Sequence, residues 1–237
     1  MANLQDQLAT QLHNRSLPTS STWLNNFLAH QRNVPLTALT QTALFRILNS
    51  DFRESLTSQN PAFILPVDIF DPNVQARRLT GTIPVQVLDI EDIGTSVCSQ
   101  VEAIERVERG EAVRGREIVR TVNVGDEEQD RTANANNGAN ANPSESSGPH
   151  RLILQDAKGT RAVGIEMTGV NGIGINKLPI GAKLLLRNAT VARGMILLTP
   201  ESVTLLGGTI DAMDQAWKAG RKARLLERIT GTGSGGA

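Results

Sequence analysis

The sequence predicts an α+β protein: a small helical bundle, then one β-barrel carrying a long insertion, then a single helix. Three observations carry this. Leucines and aromatic residues recur at helical spacing through about residue 56. Short runs with alternating apolar residues follow from Leu79 to Leu206, punctuated by Gly and Pro. A polar stretch, Glu105 to Pro149, interrupts those runs without replacing any of them.

Leu4, Leu8 and Leu12 share one helical face. Leu17-Pro18 breaks that helix, and the Ser/Thr group that follows can cap the next. Trp23, Leu24, Phe27 and Leu28 make a second face. After Val34-Pro35, a third face is built from Leu36, Leu39, Ala43, Leu44, Ile47 and Leu48, with a continuation around Phe52 and Leu56. Residues 1–60 therefore read as a three-helix bundle whose aromatic residues pack its core. Asn60 to Pro72 carries three prolines, which push their preceding residues out of helical geometry, so an extended connector across the next domain is expected.

Residues 61–230 read as the β-domain and its closing helix, with 231–237 as a flexible tail. Leu79 to Ile90 alternates, placing Val85 and Val87 on one face. Thr95 to Arg109 has Val97, Val101, Ile104 and Val107 at helical spacing and leads into the insertion at 105–149. RLILQD and TRAVGIEM flank a Lys158-Gly159 turn and form a hairpin. Gly169 to Pro179 reads as a loop with one helical turn, Lys183 to Ala192 as a strand, Arg193-Gly194 as a turn and Met195 to Thr199 as its return. Five strands with a helical turn between the third and fourth fit an oligonucleotide/oligosaccharide-binding (OB) barrel. Ile210, Met213, Trp217, Leu225 and Ile229 face one way on a last helix, which Thr209 can cap and whose dipole suits Asp211 and Asp214 at its start.

Charge and cysteine content narrow the chemistry. Lys plus Arg and Asp plus Glu both number 24, so no global field draws the chain to nucleic acid. A lone Cys98 allows no internal disulfide, and His13, His30 and His150 are too scattered for zinc spacing. No secretory leader or apolar run of spanning length occurs, so a soluble intracellular protein is expected, with no membrane partner. No cofactor, metal or small-molecule substrate is indicated, and no catalytic constellation emerges. Gly169, Gly172 and Gly174 lack the spacing of a dinucleotide loop and read as turn glycines. Asp89, Glu91 and Asp92 read as a solvated strand end, and Cys98 as a small residue on a helix face.

An OB barrel raises the question of single-stranded DNA. Such binders stack bases on aromatic side chains in a basic groove, at about 1–3 kcal/mol per base. From Gly81 to Gly207 there is no Phe, Trp or Tyr, and the strands carry few bases: Arg151, Arg161, Lys183, Arg187 and Arg193. A barrel without that platform suits a protein partner better. Lys218, Arg221, Lys222 and Arg224 read first as a solvated helix face and second as phosphate contacts. Within the insertion, Arg114, Arg116 and Arg120 flank Ile118, Val119, Val122 and Val124, a mixture able to order against a partner. Asn134 to Gly148 has the composition of a spacer.

The stretches LPVDI, LTGTIPVQVLDIEDI, RLILQDAKGTRAVGIEM and LPIGAKLLLRNATVARGMILLTPESVTLLGGTIDA resemble the RecQ-mediated genome instability protein 1 family. The likeness covers the barrel and, more loosely, the helices, and it is most specific from Leu178 to Asp211. The length is similar to that of short fungal members with a single barrel. The resemblance implies a non-catalytic, nuclear subunit that binds a type IA topoisomerase, topoisomerase III, and joins it to a RecQ-type helicase. It implies dissolution of double Holliday junctions, with DNA met mainly through the complex. It also implies that the loop inserted after the first barrel strand reaches the topoisomerase gate. By position and composition, Ile104, Val107, Arg114, Arg116, Ile118, Val119, Arg120 and Val122 are the candidate gate contacts. The competing expectation is a single-strand DNA-binding barrel in repair or replication.

Overall fold

The computed structural model describes residues 2–31, 34–111 and 148–231. These divide into two compact units, residues 1–95 with 147–221 and residues 96–146 with 222–237.

The first unit opens with α1 (Ala2–His13), α2 (Ser21–Ala29), α3 (Leu36–Leu48) and the single turn α4 (Phe52–Ser55). Leu8, Leu12, Leu24, Phe27, Leu39, Ala43, Ile47 and Phe52 form their common core, as the helical spacing predicts, while Leu4 stays more exposed. The Ser/Thr capping expected before α2 is not how that helix starts. Ser20 is extended and makes no side-chain cap bond. The Leu17–Ser20 break is instead held by backbone: Ser20 N donates to Ser55 O at 2.9 Å, Thr57 N to Pro18 O at 2.8 Å, and Thr19 bridges Leu56. Asp51 caps α4 by accepting from Arg53 N at 2.9 Å.

The connector is coiled where an extended run was expected. Pro61–Phe63 forms a 3-10 turn, and Ile69 N donates to Pro66 O at 3.1 Å. These turns aim Leu65 and Ile69 into the barrel core, so the segment does lie on the barrel. Buried Asp156 fixes it there, accepting from Leu65 N at 2.8 Å and closing its own hairpin through Lys158 N and Thr160 N.

The barrel sheet contains β1 (Arg77–Arg78), β2 (Thr82–Asp92), β3 (His150–Gln155), β4 (Arg161–Glu166), β5 (Lys183–Arg187), β6 (Thr190–Ala192), β7 (Met195–Leu198) and β8 (Val203–Gly207). Their order is β1-β6-β7-β4-β3-β2-β5-β8, with β7 parallel to β4. Eight segments stand where five strands were expected. Asn188, whose φ of 46° breaks the run Lys183–Ala192 into β5 and β6, accounts for one of the three additional segments, and β1 and β8 account for the other two; a short polar side chain tolerates that left-handed backbone. The two halves then serve different neighbours, β5 pairing with β2 and β8, and β6 with β1 and β7. The Gly169–Pro179 loop is a series of turns, one closed by Leu178 N to Gly174 O at 2.9 Å.

The helix α6 (Asp211–Gly231) starts in the first unit. Thr209 Oγ1 is engaged as a donor to Ile180 O, while Asp214 accepts from Ile180 N at 3.0 Å and pairs with Lys218. Met213 and Trp217 pack on the barrel core. In the second unit, α5 (Val97–Glu108) is capped by Ser96 Oγ, which accepts from Ser99 N at 3.1 Å. Val101 of α5 and Leu225 of α6 are buried.

Candidate protein-interaction site

The insertion leaves the barrel at the end of β2 and returns at the start of β3, and both roots lie in the first unit. Asp92, the last residue of β2, is buried; its Oδ1 accepts from Gly94 N at 2.8 Å and Thr95 N at 3.0 Å. Ile93 N donates to Pro149 O at 3.0 Å. One residue on, His150 and Glu166 face each other with side chains only 2% and 3% exposed. Glu166 Oε2 accepts from His150 N at 3.0 Å and meets His150 Nδ1 at 2.5 Å, while Oε1 accepts from Val170 N at 3.0 Å. Exposed Ile93 and Met167 adjoin these residues in the chain.

The carboxylates read as a solvated strand end all have structural work. Asp89 accepts from Trp217 Nε1 at 2.5 Å, Glu91 pairs with Arg151 at 3.0 Å, and Asp92 turns the insertion root. The glycine-rich loop buries Ile173 and Ile175 in the barrel core. Cys98 is exposed on α5. Among the described residues, no group of three or more His, Cys, Asp or Glu could hold a metal ion. No described helix is long and apolar enough to cross a membrane.

The candidate gate contacts divide. Ile104 and Val107 lie on α5, the first half-buried and the second exposed. Arg114, Arg116, Ile118, Val119, Arg120 and Val122 lie outside the described residues. The candidate phosphate contacts lie along α6 but are occupied. Lys218 pairs with Asp214, and Arg221 lies over the Trp217 ring at 5.8 Å. Lys222 bridges Glu108 at 2.6 Å and Glu105 at 3.3 Å, and those carboxylates, Glu108 first, raise its ammonium above the ordinary value. Arg224 also lies on α6 and is exposed.

Sequence reasoning missed a second polar centre, where the helices meet the barrel. Lys183, expected among the strand bases, is fully buried and so cannot line a groove. Its Nζ donates to Gln86 Oε1 at 3.1 Å and lies 4.8 Å above the Phe52 ring. Gln86 Oε1 also accepts from Phe52 N at 3.0 Å, and its Nε2 donates to Asp51 Oδ1 at 2.9 Å and Gln155 Oε1 at 3.2 Å. Burial lowers the Lys183 ammonium to about 7 against the opposing pull of Asp51. Burial pushes the Asp51 carboxyl up, but Arg53 and Gln86 together outweigh it and hold it below the ordinary value. Alternation alone would place Gln86 outward; the bundle covers that face, and both sides of β2 from Ile83 to Val87 are buried.

Comparison with known proteins agrees with this architecture. A family model described as "RMI1, N-terminal OB-fold domain" matches residues 65–221, and "RMI1, N-terminal helical domain" matches residues 12–55. RecQ-mediated genome instability protein 1 of Schizosaccharomyces pombe is 30% identical over 236 residues, covering 97% of each chain. The Gallus gallus protein of that name is 29% identical over 170 residues, which is 71% of this chain and 23% of the chicken protein.

Proposed function

That this chain belongs to the RecQ-mediated genome instability protein 1 family is the premise from which we propose its function. It is a non-catalytic nuclear subunit that docks on topoisomerase III through its OB barrel, links it to a RecQ-type helicase and stimulates strand passage. The complex so formed dissolves double Holliday junctions and preserves genome stability. The link to RecQ is supported by the printed name of the relatives. The reading rests on one observation above others: the barrel strands present no Phe, Trp or Tyr, and of their few bases Lys183 is buried and Arg151 is paired with Glu91. Without stacking platform or basic groove, a protein surface is the better match.

The insertion supplies the contact that discriminates between gate states, since only differential binding shifts a conformational equilibrium. Deleting residues 110–124 is expected to leave folding nearly intact and to impair decatenation by the partner topoisomerase. Co-purification with topoisomerase III, with and without this segment, tests the docking. Wild-type decatenation by the deleted protein would remove the insertion from the mechanism.

Single-strand DNA binding is the second reading. Half-exposed Phe70, two residues from the Pro72 carbonyl that accepts from Arg193 Nη1 at 3.2 Å, favours it. A gel shift with the isolated protein separates the two. Weak binding at physiological salt is expected, and tight, salt-resistant binding would reverse the order of the readings.

A further inference from the structure

We infer that Gly94, Gly148, His150 and Glu166 form a clamp at the root of the insertion: a set of residues that fixes where the chain leaves and re-enters the barrel. This rests on the proposed role of the insertion at the topoisomerase.

The steric half of the clamp is a backbone crossing. A Cβ on Gly94 would lie 2.6 Å from Gly148 O and 3.1 Å from the Pro149 ring, so only glycine permits the two roots to touch. Gly148 has φ +80°, and a Cβ there would meet His150 Nδ1 at 3.1 Å and Glu166 Oε2 at 3.2 Å. The outgoing and incoming chains are thereby brought into van der Waals contact beside a buried polar pair.

The polar half holds that crossing in place. Glu166 ends β4, and its carboxylate accepts from the His150 and Val170 amides and meets the His150 ring nitrogen. Both side chains are removed from water, and a buried group deprived of its partner is costly. Opening the root therefore requires Glu166 to lose the His150 amide and ring together. On the outgoing side Asp92 restrains Gly94 and Thr95 in the same way. The Glu166 carboxylate also holds the Val170 amide at the edge of the barrel core, so the readout must separate the root from the core.

The physical consequence is preorganisation. A segment between two free ends must lose orientational freedom when it engages a partner, and that loss weakens binding. Here the two ends are already held against each other by the fold. Glu166 and His150 touch no reacting group. They act through the insertion, which makes them positioning residues.

The test uses the full chain with Glu166→Ala and Gly94→Ala, each with and without deletion of residues 112–146. Backbone hydrogen exchange of the isolated protein is the first readout. Exchange at Gly94, Thr95, His150 and Val170 is expected to accelerate at least about tenfold in Glu166→Ala, while Leu152 and Leu184 keep their protection. Decatenation by topoisomerase III is the second. The clamp substitutions are expected to reduce stimulation about tenfold in the full chain and to add no further loss in the deleted one, as residues acting through one element should. Unchanged exchange at the root, or losses that multiply in the combined proteins, would overturn the clamp. If Gly94→Ala does not fold, Glu166→Gln, which keeps the volume but sets an amide N–H against a donor, replaces it. If the wild type neither binds nor stimulates the topoisomerase, the proposed function falls, and the exchange measurement still decides whether these residues hold the root.

Discussion

Phe52→Ala is expected to lower the unfolding free energy by about 3–5 kcal/mol, the range for removing a buried aromatic side chain. The residue is fully buried in the helical core, and its ring also forms the floor beneath Lys183 at 4.8 Å. Truncation therefore does more than leave a cavity among leucines. It strips the ammonium of the face that partly compensates its burial, an interaction worth up to about 2 kcal/mol when desolvated. Its backbone N–H, bound to Gln86 Oε1 at 3.0 Å, is retained, so the bond that ties α4 to β2 survives. Chemical denaturation measures the effect. A loss below about 1 kcal/mol would mean that the bundle and barrel do not share this residue as a common core element.

The second large effect is a pH dependence. A Lys183 pKa lowered from 10.5 to about 7 means that the folded protein releases a proton which the unfolded chain keeps. Between those values the unfolded state binds more protons, so stability rises with pH. In the other direction, stability falls as pH drops from about 10 toward 7, and it is flat with respect to this group below that. At about 1.4 kcal/mol per pH unit, the full span amounts to about 5 kcal/mol. The variant comparison decides. Lys183→Met removes the proton linkage and leaves Gln86 bonded to Phe52 N and Asp51. It is expected to match or exceed the wild type in stability at pH 7, since replacing a buried charge by an apolar side chain is often neutral or stabilising. That advantage should shrink steadily toward pH 10. A constant difference across the range would show that Lys183 titrates normally.

Both effects arise from a junction that strand alternation hides. The spacing of Ile83, Val85 and Val87 tells which face of β2 meets the barrel core, and that reading holds. It makes the opposite face polar and therefore apparently wet. In the folded protein the bundle covers that face, and Gln86 and Lys183 become a buried hydrogen-bonded pair. The candidate site divides in the same way. A long polar excursion after the first long strand is visible as composition, and so are the helical positions of Ile104 and Val107. Its root is not visible, because Glu166 and Gly148 look like any acidic residue at a strand end and any glycine before a proline. Gly94, ahead of the insertion, and Gly148, near its end, are not distinguished from ordinary loop glycines by turn signals alone.

By itself the sequence determined the α-helices, most of the strands, the place of the insertion and the family to which the chain belongs. Those properties are local or statistical: a period of 3.6 or 2 reports which side of an element is apolar, and a run of similar residues reports ancestry. The tertiary structure alone decided which polar residues lie in the dark. Asp51, Gln86, Gln155 and Lys183 are far apart in the chain and meet in one network, and His150 finds Glu166 sixteen positions away. No spacing rule encodes such meetings. They follow from the packing of a helical bundle onto a sheet and from the return of an excursion to its own starting point. Buried polar groups must find partners wherever that packing leaves them.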